Sequence, residues 1–203
     1  MADYPIFADV SQYIVEMLRG KMCPEPIPSG NNIQVTSPAE QDADYLLGLY
    51  LYDIVEDGNF SMPQTLRRGS TQQVKAPKPY KLHYMLFLNG SSQMGLKAGD
   101  TQKILGRAAQ IVSDGGAVRP NDLQNWLEFE EPPIRIVASK MALEEKVRVW
   151  SAINKPYQVS LFYDVSPVYI SSEKVATHTL VTEAQFGINL KNAPENGSRG
   201  GDG

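Results

Sequence analysis

The side chains best suited to chemistry in this 203-residue chain are few. Cys23 is its only cysteine, and His83 and His178 are its only histidines. One cysteine cannot close an intramolecular disulfide, and three Cys and His side chains fall one short of the four that close a structural zinc site. Carboxylate-rich metal sites stay open on this count. A cysteine nucleophile needs a histidine or cation held against it to lower its pKa. Cys23 stands instead in Cys23-Pro24-Glu25-Pro26-Ile27-Pro28, and reads as a small packed side chain. His83 alternates with apolar residues and reads as a sheet histidine. Glu130-Glu131 and Glu144-Glu145 look like carboxylate pairs. Adjacent residues on a strand point to opposite faces and adjacent helical residues diverge, so neither doublet converges on one site. They read as solvated faces. No G-x-S-x-G elbow, G-x-x-x-x-G-K-[ST] phosphate loop or G-x-G-x-x-G turn occurs. The expectation is a chain with no catalytic residues, no cofactor and no metal.

One charge feature stands out. From Arg67-Arg68-Gly69 through Lys75 and Lys78 to Lys81 there is no acid. Aromatic residues are missing from this run before Tyr80, which weakens a single-stranded nucleic-acid reading. A net charge of −4 also argues against a dedicated nucleic-acid binder. Arg67, Arg68, Lys75 and Lys78 are therefore candidate contacts to an acidic protein surface, with a plain solvated loop as the alternative. The charge is unevenly spread: ten acids and two bases in residues 1–60, eight and fourteen in 61–155, five and three in 156–203. Opposite regions let copies of the chain attract head to tail, and a solvated mixed surface is again the alternative.

Several elements are needed to position these residues. Ile6, Val10, Ile14, Met17 and Leu18 form one helical stripe, begun by Pro5 and ended by Gly20. Ile33 to Thr36 is a short strand. Tyr45 to Val55 is a strand apolar on both faces, which suits a central place in a covered sheet. Its apolar run, Tyr45 to Tyr52, is far short of the roughly 20 residues that span a bilayer. The N-terminus shows no basic segment followed by an apolar one, so no secretory signal is read. Residues 56–79 are a polar, breaker-rich loop. Lys81 to Leu88 is a strand with Leu82, Tyr84, Leu86 and Leu88 on one face. Asp100 caps a helix from Thr101 to Ser113 with the stripe Ile104, Leu105, Ala108, Ile111 and Val112. Ile134 to Ala138 is a strand. Ser139 caps a third helix, Met141 to Ile153, aligning Leu143, Val147 and Trp150. Val159, Leu161, Tyr163 and Val165 open a strand that continues to Ile170.

Three helices interleaved with about five strands predict an α/β (α+β) single domain, one twisted mixed sheet with the helices packed on it. This domain spans residues 1–171. Residues 172–190 form a β-prone arm in which Val175, Thr177, Thr179 and Val181 alternate, and these four are candidate contacts to another chain. Residues 191–203 are a polar Gly-rich tail.

Taken in order, several segments are more specific than any motif test. They are Tyr4-Pro5-Ile6-Phe7-Ala8-Asp9-Val10, Ile33-Gln34-Val35-Thr36-Ser37-Pro38, Leu49-Tyr50-Leu51-Tyr52-Asp53-Ile54 and Pro79-Tyr80-Lys81-Leu82-His83-Tyr84. Ile104-Leu105-Gly106-Arg107-Ala108-Ala109-Gln110 follows, then Val149-Trp150-Ser151-Ala152-Ile153 with Lys155-Pro156-Tyr157. Over roughly residues 4–170 the set resembles the N-terminal domain of the tail-terminator or cap proteins of extracellular contractile injection systems, phage-tail-like particles such as the antifeeding prophage and the Photorhabdus virulence cassettes. The resemblance implies a homo-hexameric ring that ends the inner tube and outer sheath away from the baseplate. It implies terminal sheath and tube proteins as partners, no nucleic acid, no direct membrane insertion, and assembly in the cytoplasm. An adaptor or baseplate component of the same particle is the alternative, and an enzyme using carboxylates a more distant one.

Overall fold

The computed structural model describes residues 4–40, 44–60, 65–68, 72–90, 97–118, 133–171 and 175–177. Helix α1 (Ile6–Met22) buries Ile6, Val10, Ile14 and Leu18, and adds Met22 one turn later. Gly20, expected just past the end, lies inside the helix. The stop comes at Cys23, which is extended at φ −105° and ψ 140° because Pro24 disfavours a helical residue before it. After a 3₁₀ turn at Gly30–Asn32, β1 (Ile33–Val35) runs parallel to β2 (Leu47–Glu56).

The polar loop expected over residues 56–79 contains two strands, β3 (Thr65–Arg68) and β4 (Gln72–Lys75). The next strand, β5 (Lys78–Leu88), starts three residues earlier than the alternation predicts. Helix α2 (Ala98–Asp114) also starts early, with Lys97 before it, and its predicted stripe is buried throughout. Asp100 therefore sits in the first turn rather than at the cap, where its carboxylate still complements the helix N-terminus. Then follow β6 (Ala117–Val118), β7 (Ile134–Ala138), α3 (Leu143–Ala152), β8 (Leu161–Ile170) and β9 (Val175–Thr177). Ser139 does not cap α3; its N–H donates to the Phe162 carbonyl at 2.8 Å. The Glu145 carboxylate accepts instead from the Ala142 N–H at 2.8 Å.

The main sheet has the order β1-β2-β5-β8-β7-β6, and its pairs other than β1–β2 are antiparallel. One face lies under α1 and α2, where Leu47, Leu49, Leu82, Tyr84, Leu86 and Val165 are buried with the helix stripes. The other face carries a smaller cluster of Tyr45, Met85, Phe87, Trp150 and Phe162 beneath α3. Helix α3 covers less than its sequence suggests: Trp150 is buried, but Leu143 is 58 % and Val147 38 % exposed. The fold is thus one mixed α/β domain of three helices on a six-stranded sheet, with a second, three-stranded sheet beyond it.

Two tyrosines of the main core report on its integrity at alkaline pH. The Ser11 hydroxyl donates to the Phe7 carbonyl at 2.9 Å and accepts the buried Tyr84 hydroxyl at 2.8 Å. Burial raises the Tyr84 phenol above its ordinary value and raises Tyr163 from 10.0 to about 12. The unfolded chain loses these protons near pH 10 while the folded chain holds them, so this contribution to stability is complete below pH 10 and declines as pH rises towards 12. The melting temperature is expected to fall through that window. Tyr163→Phe is expected to flatten the fall, and an equally steep fall in the variant would contradict the assignment to Tyr163.

Candidate partner interface

The three-stranded sheet has the order β3-β4-β9. Strand β3 follows β2, β4 leads into β5, and β9 follows β8, so its order repeats that of β2-β5-β8 in the main sheet. It is a ribbon in which the three central strands pair a second time after a break. The breaks have local causes. At the end of β2 the buried Asp57 makes a turn: its Oδ1 accepts from the Asn59 N–H at 3.1 Å and from Asn59 Nδ2 at 3.0 Å. Pro77, just before β5, and Pro79, its second residue, each lack an N–H to donate to a ladder.

Two features that look separate in sequence meet here. Antiparallel register pairs Leu66 with Val74 and Val74 with Val175, which puts an apolar row across one face. On the same face, farther from the main sheet, Arg68, Gln72 and Thr177 form a second row. The opposite face takes Thr65 with Lys75, and Arg67 with Gln73 and Ala176. Arg67, Arg68, Lys75, Val175 and Thr177, five of the eight candidate contacts, therefore share one small sheet. Lys78 stands at its base, where its ammonium pairs with Glu56 Oε2 at 2.8 Å. Thr179 and Val181 lie outside the described residues.

Residues 175–177, expected to seek another chain, pair here with β4 of their own. The reason is geometric: β8 already lies beside β5 as far as the Lys78–Ile170 pair, and the Val74–Val175 pair continues the same neighbours only a few residues on. The described strands carry Arg67, Arg68 and Lys75 and no acid. Strand segments of three or four residues with one apolar row are marginal as an isolated sheet. A partner surface on the apolar row would supply what the ribbon lacks.

Asp57 holds the base of this ribbon at a cost. It is 3 % exposed, and its Oδ2 has no hydrogen-bond partner. Asp57→Ala removes the turn acceptor and is expected to cost about 1–2 kcal/mol by urea denaturation. Asp57→Asn keeps an oxygen for Asn59 and removes a buried charge, so its effect should be clearly smaller. Equal losses in the two variants would show that the turn bond contributes little.

Of the side chains first weighed for chemistry, His83 has a side-chain partner, Cys23 is partly buried against the core, and His178 lies outside the described residues. His83 Nδ1 lies 2.8 Å from Asp164 Oδ1, cross-strand on the face that α3 leaves partly open. The Tyr52 ring is 5.9 Å from the His83 ring, and its phenol is raised to about 12, mainly by burial and then by the Asp164 charge. The Cys23 thiol is raised by burial, which outweighs Arg19, the opposite of an activated nucleophile. Glu144 and Glu145 are exposed on α3, while Glu130 and Glu131 lie outside the described residues. Among the described residues no group of three or more His, Cys, Asp and Glu converges as metal ligands would. Of two open grooves, one of about 430 Å³ mixes Leu88 and Val159 with Asn89, Thr101, Gln102 and Gln158, one of about 350 Å³ is mostly apolar with Val112 and Phe162, and neither lining includes a carboxylate. Paired-carboxylate chemistry has no place in either.

A model of the Pvc16 N-terminal domain matches residues 9–184. The chain belongs to that family. No curated protein matches it. Among solved structures, it is similar to the sheath/tube terminator of the PVC extracellular contractile injection system in its extended state, at 17 % identity and a TM-score of 0.63, with 93 % of this chain and 65 % of that one covered. It is also similar to the tube-terminating cap of the anti-feeding prophage, at 18 % identity and a TM-score of 0.60, with 89 % of this chain and 61 % of that one covered. This chain thus spans less than two thirds of either neighbour's length. At this identity the likeness establishes the shared fold. Within the family domain, the Leu105-Gly106-Arg107 segment lies on α2 with Leu105 buried and Arg107 NH2 donating to the Lys21 carbonyl of α1 at 3.3 Å.

Proposed function

We propose that this chain is a structural terminator that ends the inner tube and outer sheath of a contractile injection particle, as a ring of six copies away from the baseplate. The family match over residues 9–184 carries the reading. The two structural neighbours, described as a sheath/tube terminator and a tube-terminating cap, support it. It agrees with the pairing of His83 with Asp164, with a Cys23 thiol raised by burial, and with a small sheet whose described strands carry bases and no acid. The reading excludes catalysis, takes terminal sheath and tube subunits as partners, and places assembly in the cytoplasm. A closed ring has to match the tube it ends, and a head-to-tail contact closes only when its rotation divides the circle.

Electron microscopy of particles carrying a tagged copy tests this. Six-fold density for the chain at the end distal to the baseplate is the expected result. Density at the baseplate would assign it as an adaptor instead, and three-fold or five-fold density would overturn the six-copy ring.

A further inference from the structure

Strand β1 ends the main sheet on one side, and the backbone groups it turns outward have different fates. Asn32 O accepts the Leu46 N–H at 2.8 Å and the Thr36 N–H donates to Leu49 O at 3.0 Å, so the even positions face β2. In a parallel ladder the alternate residues, Ile33 and Val35, then aim their N–H and C=O groups away from the sheet. The Ile33 N–H is used by the 3₁₀ turn, where it donates to Gly30 O. The Ile33 carbonyl is taken by a side chain from another element. Arg19, in the last turn of α1, donates to it from Nε at 3.1 Å and from Nη2 at 2.7 Å. Its third nitrogen, Nη1, is tied to Glu16 Oε1 at 2.8 Å. The stem passes over Gly30, where a Cβ would stand 3.6 Å from Arg19 Cγ and Cδ. Charge at this helix end does not require that rotamer, since Lys21 also places a cation in the last turn. Of β1, Val35 alone keeps an outward N–H and C=O without a partner among the described residues, and its side chain is 47 % exposed.

We propose that Arg19 is an edge guard: its guanidinium closes β1 against strand addition and so keeps copies of this chain from joining sheet to sheet. An unprotected edge is a template for another chain, and a charged side chain laid on it is one way folded proteins blunt it. The planar group occupies the one strong acceptor beside Val35 and stands in the path of an incoming strand. The strand it excludes is the β1 of a second copy, which presents the same edge and the same exposed Val35 and can meet it antiparallel about a two-fold axis. The guard acts whatever ring the chain forms, so the inference goes beyond the proposed function without resting on it.

Size-exclusion chromatography with light scattering, run on the full chain over a concentration series, tests the guard. Arg19→Gln removes both the charge and the fork. The share of material larger than the wild-type assembly is expected to rise by about tenfold, the factor that a hydrogen bond from a charged donor contributes. Hydrogen exchange at the Val35 amide should slow as these species form, because the added strand bonds to it. Arg19→Gln/Val35→Lys is expected to return to the wild-type profile, as a charge on the edge blocks pairing again. The second change restores no bond to Ile33, so this rescue separates an opened edge from a chain weakened by loss of Arg19. Should Arg19→Gln unfold, Arg19→Lys keeps the stem and the charge but not the fork, and is expected to show a smaller rise with the same rescue. A wild-type profile for the folded variants overturns the guard. So does association that Val35→Lys leaves in place, or a Val35 amide that exchanges as fast in the larger species as before.

Discussion

Trp150→Ala is expected to lower stability by about 3–5 kcal/mol, the largest loss of any single truncation on the α3 side of the sheet. Trp150 is 1 % exposed and is the one fully buried residue of α3. Its ring meets Phe87 edge to face at 6.0 Å, and Phe87 meets Tyr45 in the same way at 5.9 Å. Its indole N–H donates to the Ser160 hydroxyl at 3.1 Å, and that hydroxyl donates onward to the Gln158 carbonyl at 3.0 Å. Truncation empties the centre of this cluster and leaves α3 held by the half-buried Lys146, Val149 and Ile153. A ten-residue helix is too short to persist without such packing. Trp150→Phe keeps most of the apolar contact and loses the indole bond, so its cost should be nearer 1 kcal/mol. Urea denaturation followed by circular dichroism reads both. An unchanged midpoint for Trp150→Ala would mean that α3 is held on the sheet by something other than this ring.

How much of this was legible in the sequence follows from how completely each element is covered. Helix α2 buries its whole stripe against one sheet face and α1 buries all of its stripe but the partly buried Met17, so their apolar period reads directly. Alternation in β5 places Leu82, Tyr84, Leu86 and Leu88 on the face that the structure gives them. Helix α3 misleads because it covers only part of its face: Leu143 and Val147 keep the helical spacing of a core stripe while standing in solvent. Local stops misled too, since Pro24 ends α1 where Gly20 was expected to.

The ribbon was the least legible element. Thr65–Arg68 and Gln72–Lys75 have one large apolar residue each and no alternating pattern long enough to mark a strand. Their partner, Val175–Thr177, lies about a hundred residues away in sequence, and only the course of β5 beside β8 brings it there. The sequence therefore showed a basic run and a β-prone arm as separate candidates. Their union is a property of the sheet.

Gly48→Ala tests how tightly the α3 side of that sheet is closed, and it is expected to destabilise by about 1–3 kcal/mol. In an ordinary strand the opposite sign holds, since glycine weakens a strand interior and a side chain packs better. At Gly48 a Cβ would lie 2.5 Å from Phe87 Cζ, 2.7 Å from Phe87 Cε1 and 3.0 Å from Thr36 Cγ2. Gly48 and Phe87 are register partners on β2 and β5, and the Phe87 ring lies against the glycine. The ring has little room to retreat, for it is 1 % exposed and wedged between Trp150 and Tyr45. Gly48→Val should cost more than Gly48→Ala, although valine is a favoured strand residue, because its added methyls enter the same space. Phe87→Leu removes the obstructing ring edge at its own cost, so the double variant Gly48→Ala/Phe87→Leu should be less destabilised than the sum of the two single changes. Residues in contact commonly couple by about 0.5–3 kcal/mol in such a cycle. A melting temperature raised by Gly48→Ala, or strict additivity with Phe87→Leu, would show that the ring does not rest on the backbone of β2.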